Sequence, residues 1–132
     1  MALAWPNHVH HSRALRWFAA NRADGWATCP ITESGFVRVS SNVRVIPDAR
    51  TPEQAIHLLR QIRQQPGHTF WEDDVSPLDS DATAFERVVG YRQVTDAHLL
   101  TLATRKCGRL ATFDRGVAEL APNMPGSVEL IP

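Results

Sequence analysis

The chain is poor in the residues that mark several common classes of small protein. It holds two cysteines in 132 residues, Cys29 and Cys107, which are too few for a disulfide scaffold and lack the spacing of a zinc site. No apolar run approaches the length of a membrane span, and the first residues do not form a signal peptide. We therefore expect a cytoplasmic protein in which both cysteines pack in the core.

The chain also has no net charge at neutral pH when its histidines are uncharged. The 14 basic and 14 acidic side chains cancel, so no global basic field marks the chain as a nucleic-acid binder. Lys106 is the single lysine beside 13 arginines. Arginine contacts phosphate through a planar fork, although a GC-rich genome also favours this residue. The length and the hydrophobic fraction of 43% fit one globular domain over residues 1–132, without repeats or linkers.

Hydrophobic periodicity and capping residues predict strands that alternate with helices. The predicted helices cover residues 8–21, 33–39, 52–65, 79–89 and 96–106, and the predicted strands cover 26–31, 68–75, 109–113 and 128–131. The clearest helix start is Thr51–Gln54, which offers a capping threonine, a proline at the first helical position and a glutamine three residues after the cap. The alternation predicts an α/β fold with a mostly parallel sheet covered by helices on both faces.

Three acidic side chains follow apolar segments at positions where an α/β sheet collects its ligands. Asp114 directly ends a predicted strand, and Glu33 and Asp96 lie in the first turns of predicted helices behind capping threonines. Ligands of open α/β sheets gather at the carboxyl ends of the strands, so we expect the three carboxylates to converge and bind Mg²⁺ or Mn²⁺. An acidic side chain in the first turn of a helix also interacts favourably with the helix dipole. Glu33 and Asp96, each taken alone, therefore have a structural explanation as well.

Other charged groups admit two interpretations. Arg92 precedes Asp96 and Arg115 follows Asp114, where each could hold an RNA phosphate or pair with the neighbouring acid. The same alternatives apply to Arg13, Arg16, Arg38 and Arg44. The acidic run Glu72–Asp74 is interpreted as a solvated strand end. The nearby histidines His8, His10 and His11 are interpreted as the exposed first turn of a helix rather than as metal ligands.

Taken together, three segments resemble those of the PIN domain and, within it, of the VapC toxins of bacterial toxin–antitoxin pairs. The segments are Pro30–Arg38, Gly90–Leu100 and Arg109–Gly116. The similarity extends from Trp5 to Pro132. It implies a PIN-like α/β domain and a Mg²⁺- or Mn²⁺-dependent endoribonuclease that forms a homodimer and is silenced by a VapB antitoxin.

The resemblance also assigns roles to individual residues. The catalytic and metal-binding acids correspond to Glu33, Asp96 and Asp114. The candidates for positioning the scissile RNA phosphate are Arg92 and Arg115. The candidates for lining an apolar antitoxin groove are Trp5, Trp17 and Phe18, for which core packing is the alternative.

One feature of PIN domains is not found in the sequence. The family opens with a central strand that ends in an aspartate, whereas this chain has no acidic residue before Asp24. A missing central strand would leave two neighbouring strands with unpaired backbone groups. We expect the true start of the protein to lie upstream, the alternatives being a strand supplied from elsewhere or a degraded copy.

Two other functions are compatible with the sequence. The first is a catalytically impaired, truncated PIN module that retains antitoxin and dimer binding but cleaves RNA poorly without the first aspartate. The second is a different α/β phosphotransfer enzyme with a carboxylate metal site.

Overall fold

The polypeptide divides into two compact units. The computed structural model describes all residues from 1 to 132, and unit 1 comprises Met1–Glu72 while unit 2 comprises Asp73–Pro132. The single domain expected over residues 1–132 stays a prediction. None of the helices combines the length and the apolarity that crossing a bilayer requires.

Each unit contains one pair of short parallel strands. In unit 1, β1 (Trp26–Thr28) pairs with β2 (His68–Phe70). In unit 2, β3 (Leu110–Thr112) pairs with β4 (Val128–Leu130). The α/β class and the parallel strand direction are therefore confirmed, whereas the pairing forms two two-stranded sheets instead of one larger sheet. The predicted strands are shortened because only three residues of each make ladder pairs.

Helices supply most of the remaining regular structure. The α-helices are α1 (His11–Asn21), α2 (Pro30–Ser40), α3 (Pro52–Arg63) and α4 (Val94–Arg105). Short 3₁₀ helices cover Arg22–Asp24, Thr83–Arg87, Tyr91–Gln93 and Arg115–Leu120. The predicted start of α3 is confirmed: Thr51 Oγ1 accepts the N–H of Gln54 at 3.2 Å, and Gln54 Oε1 accepts the N–H of Thr51 at 3.0 Å.

Neither predicted threonine cap is used in α2 or α4. α2 begins at Pro30 behind Cys29, because Thr32 turns its hydroxyl back to accept the Cys29 N–H at 2.9 Å. Thr32 therefore lies inside the first turn instead of preceding it. α4 begins behind Gln93, two residues before Thr95, because the preceding 3₁₀ turn runs directly into it.

α1 also begins later than predicted, at His11 instead of His8. The residues before it form turns held by local hydrogen bonds: the His10 N–H donates to His8 Nδ1 at 3.1 Å. His11 Nδ1 lies 2.6 Å from the Ala2 carbonyl oxygen and must donate, since a carbonyl only accepts. These histidines thus organise the local chain, and the predicted exposed helical turn at His8 and His10 is wrong.

The predicted helix over residues 79–89 is wrong as well. Only Thr83–Arg87 becomes helical, as a 3₁₀ turn. Arg105, at the end of α4, donates to the carboxylates of Asp79 and Asp81 and holds them away from helix capping. Its hydrogen bond keeps the pKa of the Asp81 carboxyl below the usual range. A long-range ion pair has replaced the local helix start.

The two cysteines divide between core and surface. Cys29 is buried, as predicted, with 3% of its surface exposed. Cys107 is exposed, so its predicted core position is wrong. It lies in the turn that follows α4 and adopts a positive φ of 55°, a left-handed conformation that ends the helix.

α4 supplies the centre of the unit 2 core. Ala97 and Leu100 are fully buried on it, one turn apart, and they pack in one cluster with residues from the flanking 3₁₀ segments. The cluster comprises Ala84, Ala97, Leu100, Leu120 and Ala121. Because Ala97 directly follows Asp96, this packing fixes the start of the helix that carries the candidate acid.

Asp73 contradicts the interpretation of Glu72–Asp74 as a solvated run. Both of its carboxylate oxygens lie within 2.9 Å of His98 Nε2 on α4, so the ring must donate that N–H. The Asp73 side chain is 8% exposed, whereas that of Asp74 is 83% exposed. A long-range hydrogen bond therefore draws Asp73 into the fold and leaves its neighbour in solvent.

Removing this acceptor tests the assignment. We expect Asp73→Ala to lower the free energy of unfolding by about 1–3 kcal/mol, because it leaves a mostly buried His98 N–H without its partner. Glu72→Ala, which removes an exposed carboxylate from the same acidic run, is the matched control and should change it by no more than about 0.5 kcal/mol. Chemical denaturation measures both values. Equal losses in the two variants would contradict a specific role for Asp73.

Candidate functional site

Asp96 is placed by the burial of the residues that follow it. It occupies the third position of α4, in the first turn, where the positive end of the helix dipole favours a carboxylate. The side chain is partly buried, and no arginine, lysine or histidine forms an ion pair with it. The chain thus holds this carboxylate at a helix start without neutralising its charge.

Asp114 lies two residues after the end of β3. Its backbone N–H donates to Thr112 Oγ1 at 3.1 Å, and its Oδ1 accepts the Gly116 N–H at 2.8 Å. The second bond makes Asp114 the cap of the 3₁₀ helix Arg115–Leu120. One carboxylate oxygen is engaged locally and the other, Oδ2, makes no protein hydrogen bond, so Asp114 combines a capping role with a free oxygen.

Asp96 and Asp114 interact with each other through their charges. The pKa of the Asp96 carboxyl is raised above its usual value, first because burial disfavours the charged form and second because the charge of Asp114 repels it. Unit 2 therefore brings together two of the three predicted acids, at the start of α4 and at the end of β3. Their mutual repulsion is of the kind that a bound cation relieves.

Glu33 is held inside unit 1 by two other side chains. It lies in the first turn of α2, just after β1. Thr28 Oγ1, at the end of β1, donates to Glu33 Oε1 at 2.6 Å, and Arg63 Nε lies 3.4 Å from the same oxygen. With 17% of its side chain exposed, Glu33 presents a fixed and partly neutralised carboxylate.

His68 extends this network by one residue. Its Nε2 lies 2.7 Å from Thr28 Oγ1. Because the single hydroxyl proton of Thr28 goes to Glu33, His68 must donate its Nε2–H to Thr28. Burial and the nearby charge of Arg63 lower the pKa of His68, while Glu33 acts in the opposite direction. The result is a directed chain of hydrogen bonds from β2 through β1 to Glu33.

Sequence reasoning missed Thr28, Arg63, His68, Asp73 and His98. Thr28 could have been found, since it lies in a predicted strand five residues before Glu33. The others are joined to their partners only by tertiary structure: His68 lies forty residues from Thr28 and His98 twenty-five from Asp73. No local pattern reports such pairings.

The two arginines predicted to bind phosphate are both exposed. Arg92 is oriented by its neighbour Tyr91: its Nε donates to the Tyr91 hydroxyl at 3.3 Å, and its guanidinium carbon lies 5.7 Å from the ring centroid. The Tyr91 ring is 82% exposed. Arg115 forms no ion pair with Asp114, so the alternative of a local charge pair does not apply to it.

The three candidate antitoxin-binding aromatics differ in burial. Trp5 is buried and donates its indole N–H to the fully buried Ser40 Oγ at 3.1 Å, which gives it a structural role. Phe18 packs edge-on against Trp26 with ring centroids 5.0 Å apart. Trp17 is half-buried on α1. Their role in antitoxin binding stays a prediction.

Metal-ligand geometry is incomplete within each unit considered alone. Neither gathers three or more histidine, cysteine, aspartate or glutamate side chains into a group that could hold a metal ion. The candidate acids of unit 2 are Asp96 and Asp114, and the candidate acid of unit 1 is Glu33. The convergence of all three acids stays a prediction.

The raised pKa of Asp96 predicts the effect of neutralising it. An aspartate whose pKa is raised on folding destabilises the folded state at pH values above that raised pKa, and the cost disappears below the ordinary value of about 3.8. Without divalent metal, Asp96→Asn should therefore melt at the same temperature as the wild type or higher at pH 7, with no gain at pH 3. Asp48→Asn, at an exposed site, is the control. A marked loss of thermal stability at pH 7 would favour a purely structural role.

Comparison with known proteins supports the predicted family. No protein-family profile matches the chain. It is 54% identical over 132 residues to ribonuclease VapC38 of Mycobacterium tuberculosis strain ATCC 25618 / H37Rv, covering 99% of this chain and 92% of the relative. Ribonuclease VapC39 of strain CDC 1551 / Oshkosh is 48% identical, with 99% and 93% covered. Ribonuclease VapC44 of that strain is 41% identical, with 98% and 89% covered. The chain therefore belongs to the VapC family of ribonucleases, the PIN-domain group that its three acidic segments resemble.

Proposed function

We propose that this protein is a metal-dependent endoribonuclease and the toxin of a VapBC-type toxin–antitoxin pair. The observation that carries the proposal is its identity of 41–54%, over nearly its whole length, to relatives named ribonuclease VapC. The repelling pair of Asp96 and Asp114 supports it from the chemistry of the chain. A VapB-type antitoxin and a second copy of the chain are the proposed protein partners, and the cytoplasm is the proposed location.

Glu33, Asp96 and Asp114 are the proposed ligands of Mg²⁺ or Mn²⁺. Carboxylate oxygens are the donors that these hard cations prefer, and the unneutralised charges in unit 2 fit a divalent ion. When bound, such an ion lowers the pKa of a coordinated water and neutralises charge that develops on the phosphate. Glu33 is oriented by Thr28 and Arg63, whereas Asp96 has no cationic partner.

Arg92 and Arg115 are the proposed contacts to the RNA backbone. Both guanidinium groups are exposed, and each lies within a few residues of an acid in the sequence. Arg92 is oriented by Tyr91, whose exposed ring adds a surface on which an unpaired base can stack. These contacts would orient the scissile phosphate without taking part in proton transfer.

Cleavage assays on variants of the acids test the proposed chemistry. We expect Glu33→Gln, Asp96→Asn and Asp114→Asn each to reduce Mg²⁺-dependent cleavage of single-stranded RNA by at least about 100-fold, because loss of even an outer-shell metal partner costs about 10–100-fold. EDTA should stop the wild type and Mn²⁺ should restore it. Asp48→Asn should cleave normally. Cleavage that persists in EDTA would refute metal dependence, and a folded wild type that binds antitoxin without cleaving would favour the impaired module.

Trp17 offers a test of the antitoxin surface. Trp5 donates its indole N–H to Ser40 and Phe18 packs against Trp26, so truncating either would disturb contacts inside unit 1. Trp17 precedes Phe18 on α1 and, like it, is half-buried. If Trp17 is an interface anchor, Trp17→Ala should weaken binding of the VapB partner by about 2 kcal/mol while the melting temperature changes little. Calorimetric titration and thermal melting measure the two effects. Misfolding of the variant would place Trp17 in the core instead.

A further inference from the structure

A shallow cavity lies beside Glu33 in unit 1. The predicted phosphate contacts Arg92 and Arg115 belong to unit 2 and do not line it. The cavity has a volume of about 310 Å³. Four of its six lining residues come from α3, Gln64 directly follows that helix, and the sixth is Glu33 on α2. The lining consists of Glu33, Ile56, Leu59, Arg60, Arg63 and Gln64.

The spacing along α3 explains why the lining residues share one side of the helix. Arg60 follows Ile56 by four residues, and Arg63 and Gln64 follow Arg60 by three and four, the separations that bring side chains onto one face. Positive charge near a helix C-terminus is ordinary dipole chemistry. The helix dipole alone does not explain why Arg60 and Arg63 line the same cavity as Glu33, one of the proposed metal ligands.

The arginines retain donors for a ligand. Arg63 Nε lies 3.4 Å from Glu33 Oε1, and its guanidinium carbon lies 5.0 Å from the centroid of the Phe70 ring. Its two terminal nitrogens form no ion pair. Arg60 is exposed and forms no ion pair. The lining contains two arginines and one glutamate, which leaves one positive charge in excess.

We infer that this cavity is a subsite for a backbone phosphate of single-stranded RNA, held by Arg60 and Arg63 next to Glu33. The planar guanidinium fork fits phosphate oxygens, and the Gln64 amide adds a neutral donor. Ile56 and Leu59 provide an apolar surface for the sugar or base. The inference rests on the proposed ribonuclease function and extends it by naming a second contact region for the substrate.

Arg60 is the residue to change, because it does not touch Glu33. The Asp96→Asn protein binds RNA without consuming it under the proposed function, so fluorescence anisotropy with a labelled single-stranded oligonucleotide can report affinity. Adding Arg60→Ala to this protein should weaken binding about tenfold, as expected for a lost hydrogen bond to a charged group. The slope of log affinity against log salt should fall by about 0.7, the value for one lost phosphate contact on a single strand.

The matched control is Arg87→Ala, which removes an equal charge from an exposed position in unit 2. It should change affinity less than twofold and leave the salt slope unaltered. In the active protein, Arg60→Ala should raise KM and leave kcat near the wild-type value, because Arg60 supplies binding alone. Arg60→Lys should recover only part of the affinity, because a lysine lacks the planar fork.

The outcomes separate this inference from the proposed function. A wild type that cleaves RNA while Arg60→Ala and Arg87→Ala lose equal affinity would overturn the subsite and leave the ribonuclease proposal standing. Arg60→Ala protein that binds RNA normally but binds antitoxin poorly would also overturn it, in favour of a protein ligand. A wild type with no RNA cleavage would instead refute the proposed function itself.

Discussion

The carboxylate of Asp96, partly buried at the start of α4 and without an ion-pair partner, is the feature that most constrains the site in unit 2. Several other acids are held by a specific partner: Asp73 by His98, and Glu33 by Thr28 and Arg63. Asp96 has no such partner, and its pKa is raised by burial and by Asp114. Holding two like charges near one another destabilises a folded protein unless something offsets the cost. A divalent cation is the counter-charge that we propose for this pair.

The rest of each unit can be understood as a means of fixing its acids. In unit 2, the buried Ala97 and Leu100 anchor α4 and thereby determine where Asp96 lies. In unit 1, the pairing of β1 with β2 brings His68 to Thr28, and Thr28 in turn orients Glu33. The structure thus positions carboxylates with ordinary packing and hydrogen bonds. A carboxylate that is already held in one orientation loses little side-chain conformational entropy when it binds a ligand.

The sequence allowed some parts of this structure to be predicted because their causes are local. Thr51 and Gln54 form the expected capping box, and both strand pairs are parallel as the alternation of elements indicates. The helix predicted to start at Asp79 and Asp81 does not form there. Arg105, more than twenty residues away, forms ion pairs with both carboxylates, which are therefore not free to cap a helix. The three candidate acids could be named from their places after strands and in first turns. Their partners could not, since those contacts arise only when the chain folds.

Direct measurement of metal binding tests the central claim most directly, because it depends on neither substrate nor antitoxin. The purified protein should be titrated with Mn²⁺ and the bound ion followed by its electron paramagnetic resonance signal, in parallel with the Asp96→Asn and Asp114→Asn variants. We predict saturable binding of Mn²⁺ to the wild type, competition by Mg²⁺, and affinity at least about tenfold weaker in both variants. Equal Mn²⁺ affinity in the wild type and in the two variants would contradict the assignment of Asp96 and Asp114 to a metal centre.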